Sequence, residues 1–336
     1  MDTRRSSDLW KQRRLPNSLF HGWCSAPGSL GCLTASPTAP GSRHSRRRAP
    51  SWPAPTNGGV NCLDTAAVYG TSEEVLGRAL AQLGIADKMT IVSKVHHMAQ
   101  GLDAATAAAI VEESVVQSLN RLRLEVLPIC LFHIEENFAY AEALLRLKER
   151  GLVGHVGSSV MMPAATSAII ETGLADALQI PTSVLDRRFS HPGEGTPAPR
   201  AGVIEEATGH GMAVFVRSIY LQGLLLMPEE DLPLELATVL PVRRRLEALA
   251  AEADMTLSEL AMRYVLSLDG VTCAVVGIET EAQVRQNLAM LARGPLDAGL
   301  RRAVEAAVPD LPDKILMPSL WSRRMPDVKH QEKPQA

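Results

Sequence analysis

Four side chains, Asp64, Tyr69, Lys94 and His133, are of types that together could deliver a proton to a carbonyl oxygen. A tyrosine hydroxyl is a weak acid at neutral pH. An ammonium group beside it stabilises the phenolate and so makes the proton easier to give up. A carboxylate paired with the lysine keeps that ammonium charged where water is excluded, and a histidine can hydrogen-bond a carbonyl and orient it. The set suits general acid catalysis of carbonyl reduction. Singly, each residue has an ordinary explanation: Lys94 as a solvated strand-end residue, His133 as a packed or solvated ring, Tyr69 as a loop hydroxyl. Their occurrence at three successive strand ends carries the argument.

The strands come from the hydropathy pattern. Short apolar runs at 60–63, 90–93, 127–132, 155–158, 177–180, 212–216 and 273–276 alternate with helix-length periodic stretches. One helix opens at Thr71 with Glu74 as a capping box and carries Val75, Leu76, Ala79, Leu80 and Leu83 as its apolar stripe. A long helix is marked by Ala108, Val111, Val115, Leu119 and Leu122. Another covers 141–150 and ends on Lys148, Arg150 and Gly151, as the helix dipole and a left-handed cap favour. Further helices are expected at 163–172, 202–209, 242–253 and 257–268. The 257–268 helix has a Thr256/Glu259 box, and Thr280 with Gln283 opens a last one to residue 292.

Strict alternation implies a parallel sheet with helices outside it. Residues 58–306 have the size of a TIM (β/α)8 barrel. An open doubly wound sheet is the alternative, but no G-x-G-x-x-G follows any strand. Seven strands are one short of closure, so the first βα unit is expected to be missing or replaced. Within residues 1–57 the one candidate for its strand is Leu30–Ala35. In such a barrel the active groups project from the C-terminal strand ends. Those ends carry Asp64 and Tyr69, Lys94, His133, Ser158 with Ser159, Gln179 and Arg217 in order.

Composition narrows the function. The net charge of -3 hides two unlike parts: residues 1–57 hold nine Lys and Arg against two Asp, the remainder 25 against 35 acidic residues. The basic head also has seven of the 22 prolines and three of the four tryptophans. It reads as an atypical, disordered Pro/Ser/Arg-rich segment of the composition expected when GC-rich coding sequence is read out of frame. Without a nucleic-acid-binding motif, and with an acidic body, no nucleic-acid partner is expected. No apolar run is long enough to span a membrane, and no apolar h-region marks a secretory signal. Five scattered cysteines without a C-x-x-C pair argue against a disulfide framework or zinc ribbon. Cys62, Cys130 and Cys273 read as buried thiols of a cytoplasmic protein. His96 and His97 lack ligand spacing, so no catalytic metal is expected. Leu221–Met227 reads as rim packing or pocket wall, and residues 307–336 as a C-terminal tail in which Trp321 could line a substrate pocket.

The run Asn61-Cys62-Leu63-Asp64-Thr65-Ala66-Ala67-Val68-Tyr69-Gly70-Thr71-Ser72-Glu73-Glu74-Val75-Leu76-Gly77 resembles the aldo-keto reductase signature. Ser93-Lys94, Ser118-Leu119, Arg121-Leu122, Leu131-Phe132-His133, Lys148 to Gly151, Val156-Gly157, Gln179 and Gly277 to Asn287 match it in the same order. The resemblance covers about residues 58–295 and implies a TIM barrel without a Rossmann domain. Hydride would pass between NADP(H), or NAD(H), and a small-molecule carbonyl or alcohol. It implies Tyr69 as general acid, Lys94 activating it, Asp64 pairing with Lys94 and His133 orienting the carbonyl. Ser159 and Gln179 would hold the nicotinamide carboxamide. Gly277, Thr280, Gln283 and Asn287 would lie along the adenosine half, with Thr280 at a helix N-terminus suited to phosphate.

Three positions depart from the family pattern. Val160 stands where many members have Asn, and Arg217 where many have a Tyr stacked on the nicotinamide, a task a guanidinium plane can also perform. Glu279 stands where an Arg often meets the 2′-phosphate, which predicts better tolerance of NAD(H). The opposing reading is a weak or inactive cofactor-binding or regulatory relative with an incomplete barrel, whose unpaired edges would cost stability.

Overall fold

The computed structural model of the chain describes residues 30–35, 60–190, 202–278 and 280–322. Eight parallel strands close into a barrel: β1 Leu30–Ala35, β2 Cys62–Asp64, β3 Thr90–Val95, β4 Leu127–Phe132, β5 Val153–Ser159, β6 Ala177–Pro181, β7 Ala213–Arg217 and β8 Cys273–Ile278. The seven strands from β2 onward are the seven apolar runs, with ends moved by a few residues. The place of the first strand is taken by Leu30–Ala35, which pairs with Cys62–Asp64 on one side and with Cys273–Ile278 on the other. The edges of β2 and β8 are therefore covered. The rest of the first unit, and the sequence-based reading of residues 1–29 and 36–59, lie outside the described residues.

The helices are α1 Ser72–Leu83, α2 Ala104–Leu122, α3 Ala141–Glu149, α4 Pro163–Thr172, α5 Val203–Gly209, α6 Leu240–Glu252, α7 Leu257–Leu266, α8 Glu281–Ala292, α9 Ala298–Ala307 and α10 Asp313–Leu316. α2 forms as its stripe predicts. Asp103 caps it by accepting from Ala105 N (3.0 Å) and Thr106 N (2.9 Å), and Val111, Val115, Leu119 and Leu122 are buried. α3 ends as expected, with Gly151 at φ 77°.

α1 differs in two ways. The Thr71/Glu74 capping box does not form, because Thr71 sits at φ -93°, ψ 12° instead of the extended conformation that aims a cap side chain at the first turn. The buried face is Glu73, Leu76, Gly77 and Leu80, whereas Val75 and Leu83 are exposed. Burying the Glu73 carboxylate turns the helix away from the stripe that apolarity alone selects. Gly77 permits the close approach of α2: a Cβ there would lie 2.3 Å from the Arg121 carbonyl oxygen. At α7, Thr256 accepts from Glu259 N, but the Glu259 carboxylate turns to Arg263 and Arg293, so that box is half made.

Two cores result. Cys62, Val92, Ile129, Leu131, Phe215 and Val275 belong to a cluster of inward-facing strand residues, separate from the larger layer between barrel and helices. Cys130 is likewise buried, which pushes its thiol up to about 12. Leu221, Leu224, Leu225 and Met227 are buried, so this run is packing. The chain after α9 also packs: Ile315 and Leu316 are buried, Trp321 Nε1 donates to the Ile315 carbonyl (3.3 Å), and Ser322 donates twice to the Glu235 carboxylate. No described helix is long and apolar enough to cross a membrane.

Candidate active site

The C-terminal strand ends hold the predicted proton-donor set together. Asp64 is the last residue of β2 and Lys94 the fifth of β3; both are buried. Lys94 Nζ donates to Asp64 Oδ1 and Oδ2, each at 2.8 Å, and to the Thr65 carbonyl at 2.8 Å. All three ammonium protons thus have acceptors, which is what a buried cation requires. Tyr69 lies in the β2–α1 loop. Its N–H donates to the Ala66 carbonyl (3.0 Å), and its own carbonyl accepts from Ser72 N (3.0 Å). The tyrosine meets Lys94 through its ring, with Nζ 5.4 Å from the centroid. Its hydroxyl has no partner among the described residues and is open to a ligand.

His133 follows β4 directly and packs edge to face on Tyr69, ring centroids 5.6 Å apart at 82°. On another side His97 makes the same kind of contact at 4.8 Å. Burial, together with the charges of Lys94, His97 and Arg217, pushes His133 down to about 3, so its imidazole is neutral near pH 7. Its Nδ1 is buried and unbonded. A neutral ring next to Tyr69 has one N–H to offer a carbonyl oxygen.

Two carboxylate links that the sequence conceals brace this set. Gln179, opposite Ser159 in the β5–β6 register, donates from Nε2 to Asp64 Oδ1 at 2.7 Å. It is thereby tied to the lysine's partner, while its side-chain oxygen Oε1 has no hydrogen bond to the described residues. Glu73, buried at the start of α1, accepts from Ser93 Oγ (2.5 Å) and Arg121 Nε (2.7 Å). That ties the helix after Tyr69 to the residue before Lys94. No pairing pattern in the sequence announces a 115-residue contact such as Asp64–Gln179. In the sequence, the Ser-Glu pair after Tyr-Gly stands out only as part of the signature.

Arg217 ends β7. The next residue, Ser218, is in the left-handed region at φ 61°, and its Oγ accepts from Arg217 Nη1 at 3.2 Å. Arg217 Nη2 donates to the Val160 carbonyl (2.9 Å) and to Met161 Sδ (2.8 Å). The two unusual positions are therefore in contact: the arginine grips the backbone of the valine, whose own side chain is buried and offers no polar group. Burial lowers the Arg217 guanidinium from its ordinary range, against the opposing pull of Tyr69, Asp64, Asp186 and Glu135.

These side chains suit a carboxamide-bearing cofactor. Ser159 is buried at the end of β5, and its hydroxyl has no protein partner among the described residues. With the Gln179 side-chain oxygen Oε1 it makes one donor and one acceptor at adjacent strand ends. The second predicted stretch runs from the end of β8 into α8. Gly277 is exposed with open space where a Cβ would stand. Thr280 and Gln283 cap α8 reciprocally, Thr280 N to Gln283 Oε1 at 3.1 Å and Gln283 N to Thr280 Oγ1 at 3.2 Å, and Asn287 is buried one turn on. The capping box occupies both side chains but leaves the first N–H groups of α8 open. Glu279 lies outside the described residues. Among the described residues no cluster of three or more His, Cys, Asp or Glu is placed to hold a metal ion.

Known proteins resemble both the sequence and the fold. The sequence pattern of the aldo/keto reductase family matches residues 54–308. YqkF, an uncharacterised oxidoreductase of Bacillus subtilis (strain 168), is 25% identical over 251 residues, 68% of this chain and 77% of its own length. An aldo-keto reductase of Mycobacterium sp. (strain KMS) is 33% identical over 127 residues, 36% of this chain and 44% of its own length. The holo form of aldo-keto reductase AKR11C1 from Bacillus halodurans superimposes with a TM-score of 0.62 at 24% identity, covering 78% of this chain and 87% of that one. Glycerol dehydrogenase AKR11B4 from Gluconobacter oxydans gives 0.58 at 23% identity, with coverage of 75% and 82%. At these identities the structural likeness is one of fold.

Proposed function

The chain belongs to the aldo/keto reductase family and is an oxidoreductase, and from that premise we propose that it moves a hydride between NAD(P)H and a carbonyl or alcohol. When bound, the nicotinamide group supplies or takes the hydride. The chain's own residues manage the proton and the geometry. Tyr69 gives its hydroxyl proton to the carbonyl oxygen. The buried Lys94 ammonium stabilises the phenolate left behind, and Asp64 keeps that ammonium in place. Neutral His133 donates a hydrogen bond that orients the carbonyl. Ser159 and Gln179 face the carboxamide, Arg217 lies against the nicotinamide end, and Gly277, Thr280, Gln283 and Asn287 serve the adenosine half.

The observation that carries this reading is the Lys94 ammonium, held by Asp64 at 2.8 Å and set 5.4 Å from the Tyr69 ring. A fixed cation over the ring of a tyrosine whose hydroxyl has no partner among the described residues supports proton transfer from that hydroxyl. The weak or inactive reading rests on open barrel edges and on a displaced loop after the first strand; β1 covers the edges, and that loop lies outside the described residues. The test mixes purified protein with NADPH or NADH and a panel of aldehydes and follows absorbance at 340 nm. Turnover that collapses in Tyr69→Phe supports the proposal. Cofactor binding without turnover would favour the inactive relative, and neither binding nor turnover would remove both readings.

A further inference from the structure

Arg217 differs from other partly buried arginines in its partners. Arg188 is clamped by Asp186 through two bonds of 2.9 Å, Arg263 pairs with Glu259 at 3.0 Å and Arg121 with Glu73 at 2.7 Å. Arg217 has no carboxylate within ion-pair distance among the described residues. Its acceptors are the Val160 carbonyl, Met161 Sδ and Ser218 Oγ, which occupy three of its five N–H groups. The acidic groups around it are already engaged. Asp64 holds Lys94 and Gln179, Asp186 holds Arg188, and Glu135 accepts from Met161 N (2.6 Å) and Met162 N (3.2 Å).

A half-buried guanidinium with its Nε–H and one Nη1–H open and no counter-ion is a receptor for an anion, to which either open N–H can donate a charge-assisted hydrogen bond. It ends β7 at the same C-terminal face of the barrel that carries Lys94 near the end of β3 and His133 just after β4, and His133 senses its charge. Resting on the reductase reading above, we propose that Arg217 selects carbonyl substrates carrying a carboxylate next to the reacting carbon, that is, 2-oxo acids or their 2-hydroxy acid counterparts. In the reductive direction the carbonyl carbon gains a C–H bond from the reduced nicotinamide. The C=O π bond opens and its oxygen takes the Tyr69 proton. The products are a 2-hydroxy acid and the oxidised dinucleotide. Arg217 breaks no bond in this step; it holds the acid group.

Pyruvate and pyruvamide have nearly the same shape and differ in charge, so their kcat/KM ratio isolates the role of the cation. The ratio also cancels whatever a substitution does to cofactor or proton donor. The expected acid-to-amide ratio is at least about tenfold in the wild type, falls about 10- to 100-fold in Arg217→Gln, and is partly kept in Arg217→Lys. Calorimetric binding of oxamate, which cannot be reduced, gives a second readout: affinity in the wild type and its loss in Arg217→Gln support the proposal even without turnover. NADPH affinity, measured alongside by fluorescence, distinguishes the anion's source. An unchanged acid-to-amide ratio in Arg217→Gln overturns the proposal. So does a loss confined to NADPH affinity, which would make the dinucleotide the anion held. Absence of NADPH and NADH binding would remove the reductase reading instead, and failed oxamate binding would then remove this one too.

Discussion

Gln179 Nε2 and Asp64 Oδ1 lie 2.7 Å apart, and the same oxygen receives Lys94 Nζ at 2.8 Å. Strand β6 thus reaches across the barrel to hold the carboxylate that holds the lysine. The carboxylate accepts from an amide and an ammonium, so its charge is satisfied without water. Gln179→Met removes one bond to a buried charge and should cost about 1.5–3 kcal/mol. Gln179→Glu sets a second carboxylate against Asp64 and should cost more at neutral pH. Urea denaturation of the two variants, compared at pH 7, checks that order.

Breaking the ion pair from the other side should be worse. Asp64→Asn leaves the Lys94 ammonium buried with neutral acceptors in place of its carboxylate, an expected loss of about 3–5 kcal/mol. Asp64→Asn combined with Lys94→Met removes the orphaned charge and should be less damaging than the sum of the singles, which a double-mutant cycle measures. Tyr69→Phe separates chemistry from folding. Stability should stay within about 0.5 kcal/mol, because the hydroxyl has no partner among the described residues. Reductase kcat should fall about 10²- to 10⁴-fold while cofactor affinity is kept.

What was legible in the sequence is what repeats locally. Strands β2 to β8 follow from apolar runs. The buried stripe of α2 follows from its three-and-four spacing, and the α8 cap from Thr280 and Gln283. The polar residues at successive strand ends pointed to a shared face. The departures from the local pattern have physical causes. Val75 looks like core until Glu73 is seen to be buried by Ser93 and Arg121, which rotates the helix. The Thr71 cap fails on backbone dihedrals that residue types do not encode. Arg217 was legible as a substitution, but not its grip on the Val160 carbonyl or its lack of a carboxylate partner. Those depend on loops 57 residues apart.

His133 predicts a pH dependence with a definite sign. Its folded-state value is pushed down to about 3, whereas an unfolded histidine titrates near 6.5. Between those values the unfolded chain binds a proton that the folded chain refuses, so stability falls as pH drops from about 6.5 toward 3. His133→Gln should flatten that part of the curve. Wild-type and variant urea midpoints, compared at pH 7, 5.5 and 4.5, give the difference, which should shrink or reverse toward low pH. Equal differences at all three values would show that His133 does not titrate as described.

Backbone approach sets the last expectation. Gly157 lies in β5 opposite Ala177, where an added Cβ would be 1.8 Å from the Ala177 carbonyl oxygen and 3.0 Å from Leu131 Cδ2. A carbonyl fixed in the sheet cannot swing aside as a side-chain tip can, so relief must come from parting β5 and β6. That would disturb Ser159 and Gln179 together, because they pair in the same register. Gly157→Ala should therefore lose about 1–3 kcal/mol and weaken cofactor affinity as well. Gly84→Ala is the control. Gly84 ends α1 at φ 61° with open space around it, so alanine meets only the left-handed backbone penalty of about 1 kcal/mol. Its cofactor affinity should be unchanged. Thermal melts give the stability order, and NADPH fluorescence titration separates a local effect on the Ser159–Gln179 pair from a general loss of fold. Equal affinities in the two variants would mean that the β5–β6 contact does not position the site.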